Sequence, residues 1–139
     1  MVDDPDATGD HGDDGFSWPV DRSGLHLGWS RLKLRPGDLA RLGELFLNGG
    51  RWHDEQVVPA TWVREATTEQ IHTVGRTNRQ NAGTGYGYGW WLTEADGETA
   101  YVAWGAGGQL LEVVPSRSLV VVVATEIEVD DVIAPAVAP

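Results

Sequence analysis

Apolar residues recur at helical spacing in the second quarter of the chain. They are Leu39, Leu42, Leu45 and Phe46, which share one face of a helix. Pro36 suits the first turn of that helix, where an N–H group would have no partner, and Gly49 and Gly50 supply the end. A second, shorter helix is predicted from residue 59 to about residue 68. Its apolar side chains available for burial are Trp62, Val63 and Ala66.

After residue 85 the pattern changes from helical to extended. Four strands are predicted, at residues 86–92, 100–104, 109–114 and 119–125. Asp96 and Gly97 form a strong hairpin signal, and residues 115–118 suit a tight connection. The polar stretch 70–85 is predicted to be a long loop. The chain is therefore expected to fold as an α+β protein, with an antiparallel meander of about four strands packed with the N-terminal helices.

Two features refine the predicted sheet. The segment LVVVVA at residues 119–124 lacks polar alternation, which is typical of a strand covered on both faces, so helices are expected on at least one side. Tyr86, Tyr88 and Tyr101 all fall in strand-like segments. Aromatic residues in strands usually pack or hydrogen-bond within the sheet, so we expect that role rather than general-base catalysis.

Charge separates an acidic start from the rest of the chain. The net charge is −11, and the first 14 residues contain six aspartates and no lysine or arginine. Residues 1–15 are therefore predicted to be a flexible acidic leader, and residues 16–139 the structured part. The negative charge disfavours nucleic acid and anionic membranes as partners. No signal peptide or transmembrane segment is found, so the cytoplasm is the default location.

The residues that bind metals in proteins are absent or dispersed. There is no cysteine, which excludes disulfides, thiolate metal sites and a cysteine nucleophile. The four histidines form neither His-x-x-x-His nor His-Glu-x-x-His: they are His11, His26, His53 and His72. No metal site and no cofactor is predicted.

Four sequence blocks together carry a resemblance to a known family. They are LKLRPGDLARLGELFLNGGRW (residues 32–52), QVVPATWVREATT (56–68), GYGYGWWL (85–92) and WGAGGQLLEVVPSRSLVVVVAT (104–125). Each block alone is a common pattern, but four in this order are specific. The chain resembles the C-terminal part of the serine β-lactamase and penicillin-recognising hydrolases, particularly their class C-like esterase and amide-hydrolase branch.

The resemblance implies an antiparallel sheet flanked by helices, a second, mainly helical region, and an active site between them. In such enzymes a serine at the start of a helix attacks a carbonyl, and a lysine one turn later helps remove its proton. A Tyr or Ser on a facing loop relays protons to the leaving group. A third motif lies on a strand beside the cleft.

By the resemblance, the third motif corresponds to Trp104, Gly105, Ala106, Gly107, Gly108 and Gln109, which would form the substrate-cleft and oxyanion wall. Glycines let a substrate carbonyl approach the backbone closely, and strand N–H groups can stabilise an oxyanion. The residues alone equally fit a Gly-rich turn between strands. Gln109 has two open roles, to orient a substrate or to brace the strand.

The other two motifs lack a convincing counterpart in the 139 residues. The literal Ser-x-x-Lys occurs once, from Ser30 to Lys33. The residues around it alternate as an extended segment and Pro36 opens the next helix, so Ser30 and Lys33 are not expected to share a helical face. We interpret this match as a chance motif. Neither Tyr-x-Asn nor Ser-x-Asn occurs, so we assign no catalytic residue.

Two functions follow as hypotheses. The first is the C-terminal lobe of a serine hydrolase that transfers an acyl group from a small ester or amide to water. This lobe would be inactive alone, with a companion N-terminal segment or self-association covering its exposed surface. The second is a non-catalytic binding module that presents tryptophans to glycans or an apolar partner, although the same tryptophans also fit the core. The tryptophans considered are Trp52, Trp90, Trp91 and Trp104.

Overall fold

The computed structural model describes residues 17–28, 31–73, 85–95, 97–105 and 108–125. The elements in these ranges are α1 (Pro36–Leu47), β1 (Arg51–Trp52), β2 (Glu55–Gln56), α2 (Ala60–Ala66), β3 (Ile71–His72), β4 (Gly85–Tyr86), β5 (Trp91–Ala95), β6 (Glu98–Trp104), β7 (Leu110–Val114) and β8 (Leu119–Val123). A 3-10 turn, Pro115–Arg117, joins the last two strands. The predicted α+β class is confirmed. The predicted leader at residues 1–15 lies outside the described residues.

The chain divides into two compact units, Met1–Leu39 and Ala40–Pro139, with the boundary inside α1. The described part of the first unit contains two isolated antiparallel bridges, Ser17 with Lys33 and Val20 with His26. The Trp18 ring stacks on the His26 ring with 4.6 Å between centroids, and its indole N–H donates to the Leu27 carbonyl. Extended chain, rather than helix, therefore precedes α1.

The second unit contains a six-stranded antiparallel sheet in the order β3-β4-β5-β6-β7-β8, and a separate two-stranded pair of β1 and β2. The strands predicted at residues 100–104, 109–114 and 119–125 correspond to β6, β7 and β8, and β5 completes an antiparallel meander of four longer strands. The pairing of Ala95 with Glu98 leaves a two-residue connection between β5 and β6, and Gly97 in it has φ +77°. This register confirms the hairpin predicted at residues 96–97, where Asp96 itself lies outside the described residues.

One sheet face of the second unit is packed with α1. Cross-strand pairing places Leu92, Tyr101 and Val113 on the same face, together with Val120. Gly43 is the buried residue of α1 and lies directly against Val120. The core residues are Val63, Ala66, Trp90, Leu92, Ala100, Tyr101, Val102, Leu111 and Val113. The predicted helix at Pro36 and its end before Gly49 are both confirmed.

The single strand predicted at residues 86–92 is wrong. The segment is a hairpin in which Tyr86 pairs with Trp91, and Gly89 in its turn has φ +83°. A Cβ on Gly87 would lie 2.0 Å from the Ala66 carbonyl oxygen, so the turn sits too close to α2 for any side chain there. The alternation of glycine and aromatic residues, which imitates a strand, encodes this turn.

The long loop predicted at residues 70–85 is also corrected. Ile71–His72 forms β3, which pairs with β4 at Gly85–Tyr86, while residues 74–84 lie outside the described residues. The backbone of Gln70 extends this pairing, because its N–H donates to the Tyr86 carbonyl at 2.9 Å. Two-residue strands carry too little pattern to be seen in a polar sequence.

The helix expected on at least one side of the 119–124 segment is found, because α1 packs on Val120, but the strand is not covered on both faces. β8 is the last strand of the described sheet, and the side chains of Leu119 and Val123 are 43% and 41% exposed. The valine run reflects the β-propensity of branched side chains as well as burial. Val120, the second residue of the strand, packs against Gly43 of α1.

Helix α2 confirms the second predicted helix within two residues at each end, but its burial pattern differs from the prediction. Val63 and Ala66 are buried, as predicted, whereas Trp62 is 47% exposed. Residues three apart share a helix face, and Trp62 is turned away from the face of Val63 and Ala66. Its ring stacks instead on Tyr88.

Candidate active site

The Gly-rich stretch after Trp104 forms the connection between β6 and β7. Trp104, the last residue of β6, pairs with Leu110, the first residue of β7. The Gly105 N–H donates to the Gln109 carbonyl at 3.0 Å, and the Gly108 N–H donates to the Gly105 carbonyl at 3.3 Å. The described part of the stretch is therefore a hairpin turn that continues two central strands. Ala106 and Gly107 lie outside the described residues.

The two described glycines of this turn differ in whether the backbone conformation and the neighbouring atoms favour glycine. Gly108 has φ +87°, and a Cβ there would lie 3.1 Å from the Thr125 hydroxyl oxygen, so the turn favours glycine at this position. Gly105 is exposed and has no positive φ, and its nearest neighbour to an added Cβ would be the Gln109 Oε1 at an ordinary 3.4 Å. The described fold thus gives a conformational reason for glycine at residue 108 but none at residue 105.

Gln109 connects the turn to the chain beyond β8. Its Nε2 donates to the Thr125 carbonyl at 3.3 Å, across sixteen residues of sequence. Of the two roles left open by the sequence, the structure thus provides a bracing contact. The side chain is exposed, and the bond lies just beyond the paired ends of β7 and β8.

The Ser-x-x-Lys match begins outside the described residues, because Ser30 is not among them. Arg31 has φ +66°, and the Lys33 N–H donates to the Ser17 carbonyl at 2.8 Å in an antiparallel bridge. The first helical residue is Pro36. Residues 31–35 are therefore not helical, whereas the spacing of a catalytic serine and lysine requires a helical turn between them.

Each of the three tyrosines has an aromatic neighbour. Tyr101 is buried and meets the ring of Trp90 edge-on, with 5.1 Å between centroids. Burial raises the pKa of Tyr101 to about 12, because the low dielectric disfavours the phenolate. Such a group stays protonated near neutral pH and is poorly suited to accept a proton. Tyr86 contacts Trp91 within the sheet, as predicted.

Tyr88 differs from the other tyrosines because it lies in the turn after β4 and is 49% exposed. Its ring is parallel to that of Trp62, with 5.3 Å between centroids and 8° between planes. The Tyr88 N–H donates to the Ala66 carbonyl, and its hydroxyl donates to the Gln70 Oε1. The sequence indicated this exposed pair only through the glycines that flank Tyr88 and mark a turn.

A charged cluster also escaped the sequence prediction. At one end of the sheet, the Arg117 Nε–H and the Ser116 hydroxyl both donate to the Glu98 Oε2. The hydrogen bond from Arg117 holds the pKa of the Glu98 carboxyl below its usual value. The contact ties the start of β6 to the turn between β7 and β8, so its role is structural.

Among the residues that the structure describes, no group of three or more His, Asp or Glu side chains is close enough to hold a metal ion. None of the described helices has the length and apolar character to cross a membrane.

Comparison with known proteins identifies the family. The family model described as "Beta-lactamase" matches residues 2–137, nearly the whole chain. The chain belongs to the beta-lactamase family. This hydrolase family is the one that the four sequence blocks indicated. No curated protein matches the chain.

Among solved structures, this beta-lactamase-family chain is similar to "Putative 6-aminohexanoate-dimer hydrolase from Bacillus anthracis". The TM-score is 0.56 at 22% sequence identity, over 76% of this chain and 26% of that chain. At this identity the similarity shows the fold alone, and it agrees with the α+β architecture. The chain spans about a quarter of the length of that structure.

Proposed function

We propose that this chain supplies the sheet side of the active site of a serine hydrolase that transfers an acyl group from a small ester or amide to water. Family membership supports the hydrolase class. The wall of the cleft is the stretch Trp104, Gly105, Ala106, Gly107, Gly108 and Gln109. This assignment rests mainly on one observation: residue 105 is an exposed glycine, although the space around it would accommodate a side chain.

A bare backbone at residue 105 has a chemical use. Without a Cβ, a planar ester or amide can lie directly on the peptide, which places its carbonyl in a defined position for attack. The N–H groups of Gly105 and Gly108 donate within the turn, so in this proposal they shape the wall and do not bind the oxyanion.

The nucleophile of this reaction is assigned to a companion segment rather than to Ser30. The backbone at residues 31–35 is not helical, which supports this part of the proposal. The 139 residues alone are then expected to show no catalysed ester hydrolysis. A segment carrying a helical Ser-x-x-Lys would complete the acyl-transfer machinery.

The test is nitrophenyl ester hydrolysis by the chain alone and mixed with a nucleophile-bearing segment of the family. Activity is expected only in the mixture. Gly105→Val should lower its kcat/KM by about a hundredfold, because the added side chain displaces the acyl group from the position for attack. Gly28→Val is the matched control, since Gly28 is also exposed and has nothing within 4 Å of an added Cβ.

If the mixture is active and the Gly105→Val variant has the same kcat/KM as wild type, the Gly-rich stretch does not form the wall of the cleft. Rapid, saturable hydrolysis by the chain alone would refute the assignment of the nucleophile to a companion segment. If no mixture is active, the result favours the binding module described next.

A binding module is the second candidate, and the exposed stack of Trp62 and Tyr88 favours it. Both rings are about half exposed and are held parallel, and hydrogen bonds fix Tyr88. Sugars stack on such rings. Among the tryptophans considered from sequence, Trp90 is only 5% exposed and belongs to the core, while Trp52, Trp91 and Trp104 are half-buried.

Titration of the intrinsic tryptophan fluorescence with soluble glycans tests this alternative. Binding should give a saturable change that Trp62→Ala abolishes. The variant Trp52→Ala provides a comparison at a half-buried tryptophan in another part of the chain. A flat response of the wild-type chain would remove the binding module as an explanation.

A further inference from the structure

The turn between β6 and β7 contacts the residue that lies two positions beyond β8. One contact is the hydrogen bond from the Gln109 Nε2 to the Thr125 carbonyl. The turn also passes close to the side chain of the same threonine, because a Cβ added at Gly108 would lie 3.1 Å from its Oγ1. The Thr125 carbonyl thus accepts a hydrogen bond from the turn, and the Thr125 side chain lies beside Gly108.

These contacts act on the connection that carries Gly105. Within the turn, the hydrogen bonds of Gly105 and Gly108 fix its internal shape. Both bonds lie within the β6–β7 hairpin, so neither connects the turn to the chain after β8. The Gln109 bond is a tether to a second chain segment, and one such bond suffices to bias a short turn toward one orientation.

We infer that Gln109 is a positioning residue, whose side-chain amide holds the Gly-rich turn against the chain after β8 and so sets where the cleft wall stands. This inference rests on the proposed function for its consequence in catalysis. The tether itself is a property of the folded chain. Gln109 acts through the turn and needs no contact with the substrate.

Amide hydrogen exchange of the 139-residue chain, followed by NMR at several pH values, tests the tether. Gln109→Glu keeps the shape of the side chain but removes the donor when the carboxylate is ionised. Near neutral pH the variant should lose about tenfold in protection at Gly105 and Gly108. Below about pH 4, where the carboxyl group protonates and can donate again, protection should return.

Two controls separate the tether from general loosening. Gln109→Leu should lose the same protection at every pH, because it never regains a donor. Gln70→Glu removes another exposed side-chain donor, which bonds to the Glu65 carbonyl, and should leave Gly105 and Gly108 unchanged. Protection of the buried Leu111 and Val113 should persist in all variants, since the tether is local.

Unchanged protection of Gly105 and Gly108 in both Gln109 variants would overturn the inference. If the variants fail to fold, the wild-type chain decides through the nuclear Overhauser effect between the Gln109 side-chain amide and Thr125. Its presence supports the tether and its absence overturns it. In an active mixture, Gln109→Leu should lower kcat about tenfold with little change in KM.

These readouts separate the two proposals. If the exchange test fails, the role of Gln109 as a tether is refuted and the proposal of the cleft wall is unaffected. If the Gly105→Val test fails, the proposal of the cleft wall is refuted, and the bond from Gln109 to Thr125 remains a property of the fold.

Discussion

Gly43 of α1 packs directly on Val120 of β8: a Cβ at residue 43 would lie 2.5 Å from the Val120 Cγ1 and 2.8 Å from the Leu111 Cδ1. The helix can approach the sheet this closely because residue 43 has no side chain. Gly43→Ala should therefore destabilise the chain by about 1–3 kcal/mol, measured by urea unfolding. Gly37→Ala in the same helix has open space and should be neutral or slightly stabilising. Equal stability of the two variants would show that the helix does not seat on the sheet at Gly43.

The contact between Glu98 and Arg117 predicts a loss of stability in acid. The Arg117 guanidinium lowers the pKa of the Glu98 carboxyl in the folded state. The contact therefore adds to the free energy of unfolding above the unfolded-state pKa of Glu98, and this contribution is lost as pH falls through the lower folded-state pKa. Glu98→Gln should thus show a smaller fall in Tm between neutral and acidic pH than the wild-type chain. Added salt should narrow the difference in Tm between the two proteins, because Arg117 is exposed and Glu98 is only partly buried. Identical pH profiles for the two proteins would count against the contact.

Burial of Tyr101 predicts a loss of stability in alkali. Its folded-state pKa is raised to about 12, so its contribution is complete below the unfolded-state value near 10 and is lost as pH rises from about 10 to about 12. Tyr101→Phe should therefore lose less stability over this range in urea unfolding. The ionisation of Tyr101 can be measured by the absorbance of its phenolate as pH rises. If Tyr101 ionises with the ordinary pKa of a tyrosine, it is not buried against Trp90.

Exposed apolar residues on β8 predict self-association. Leu119 and Val123 are more than 40% exposed on the last strand of the described sheet, and such strand edges pair readily with other chains. Sedimentation should show mass that rises with concentration, and Leu119→Lys should reduce the effect. Val57→Lys, at a site that is 53% exposed and belongs to no strand, serves as control. A clean monomer at all concentrations would contradict the prediction.

The two helices and the hairpin at residues 96–97 were predictable from sequence, whereas the hairpin at residues 87–90 and strand β3 were not. Pro36 and Gly49 bracket α1 as predicted because their backbone preferences are local. The hairpin at Gly87 and Gly89 was predicted as a strand, because only the closeness of Ala66 and a positive φ reveal the turn. β3 depends entirely on its partner β4, which no local pattern records.

The candidate site likewise contains features that were predictable from sequence and features that were not. The Gly-rich stretch was visible in the sequence, but the different roles of Gly105 and Gly108 emerge only from the space around each residue. The bond from Gln109 to Thr125 joins positions sixteen residues apart, so spacing alone left the role of Gln109 open. Trp62 was predicted to be available for burial because it is apolar, but its position on the helix places it away from the face of Val63 and Ala66, and it is exposed.

If the chain forms the sheet side of an acyl-transfer site, as proposed above, the nucleophile of that site should not be Ser30. Mass spectrometry of the chain after treatment with a fluorophosphonate probe can check this expectation. We expect no probe adduct on the wild-type chain and equally none on Ser30→Ala. A stoichiometric adduct on Ser30 that disappears in Lys33→Met would refute the proposal, because that result would make Ser30 and Lys33 a working catalytic pair.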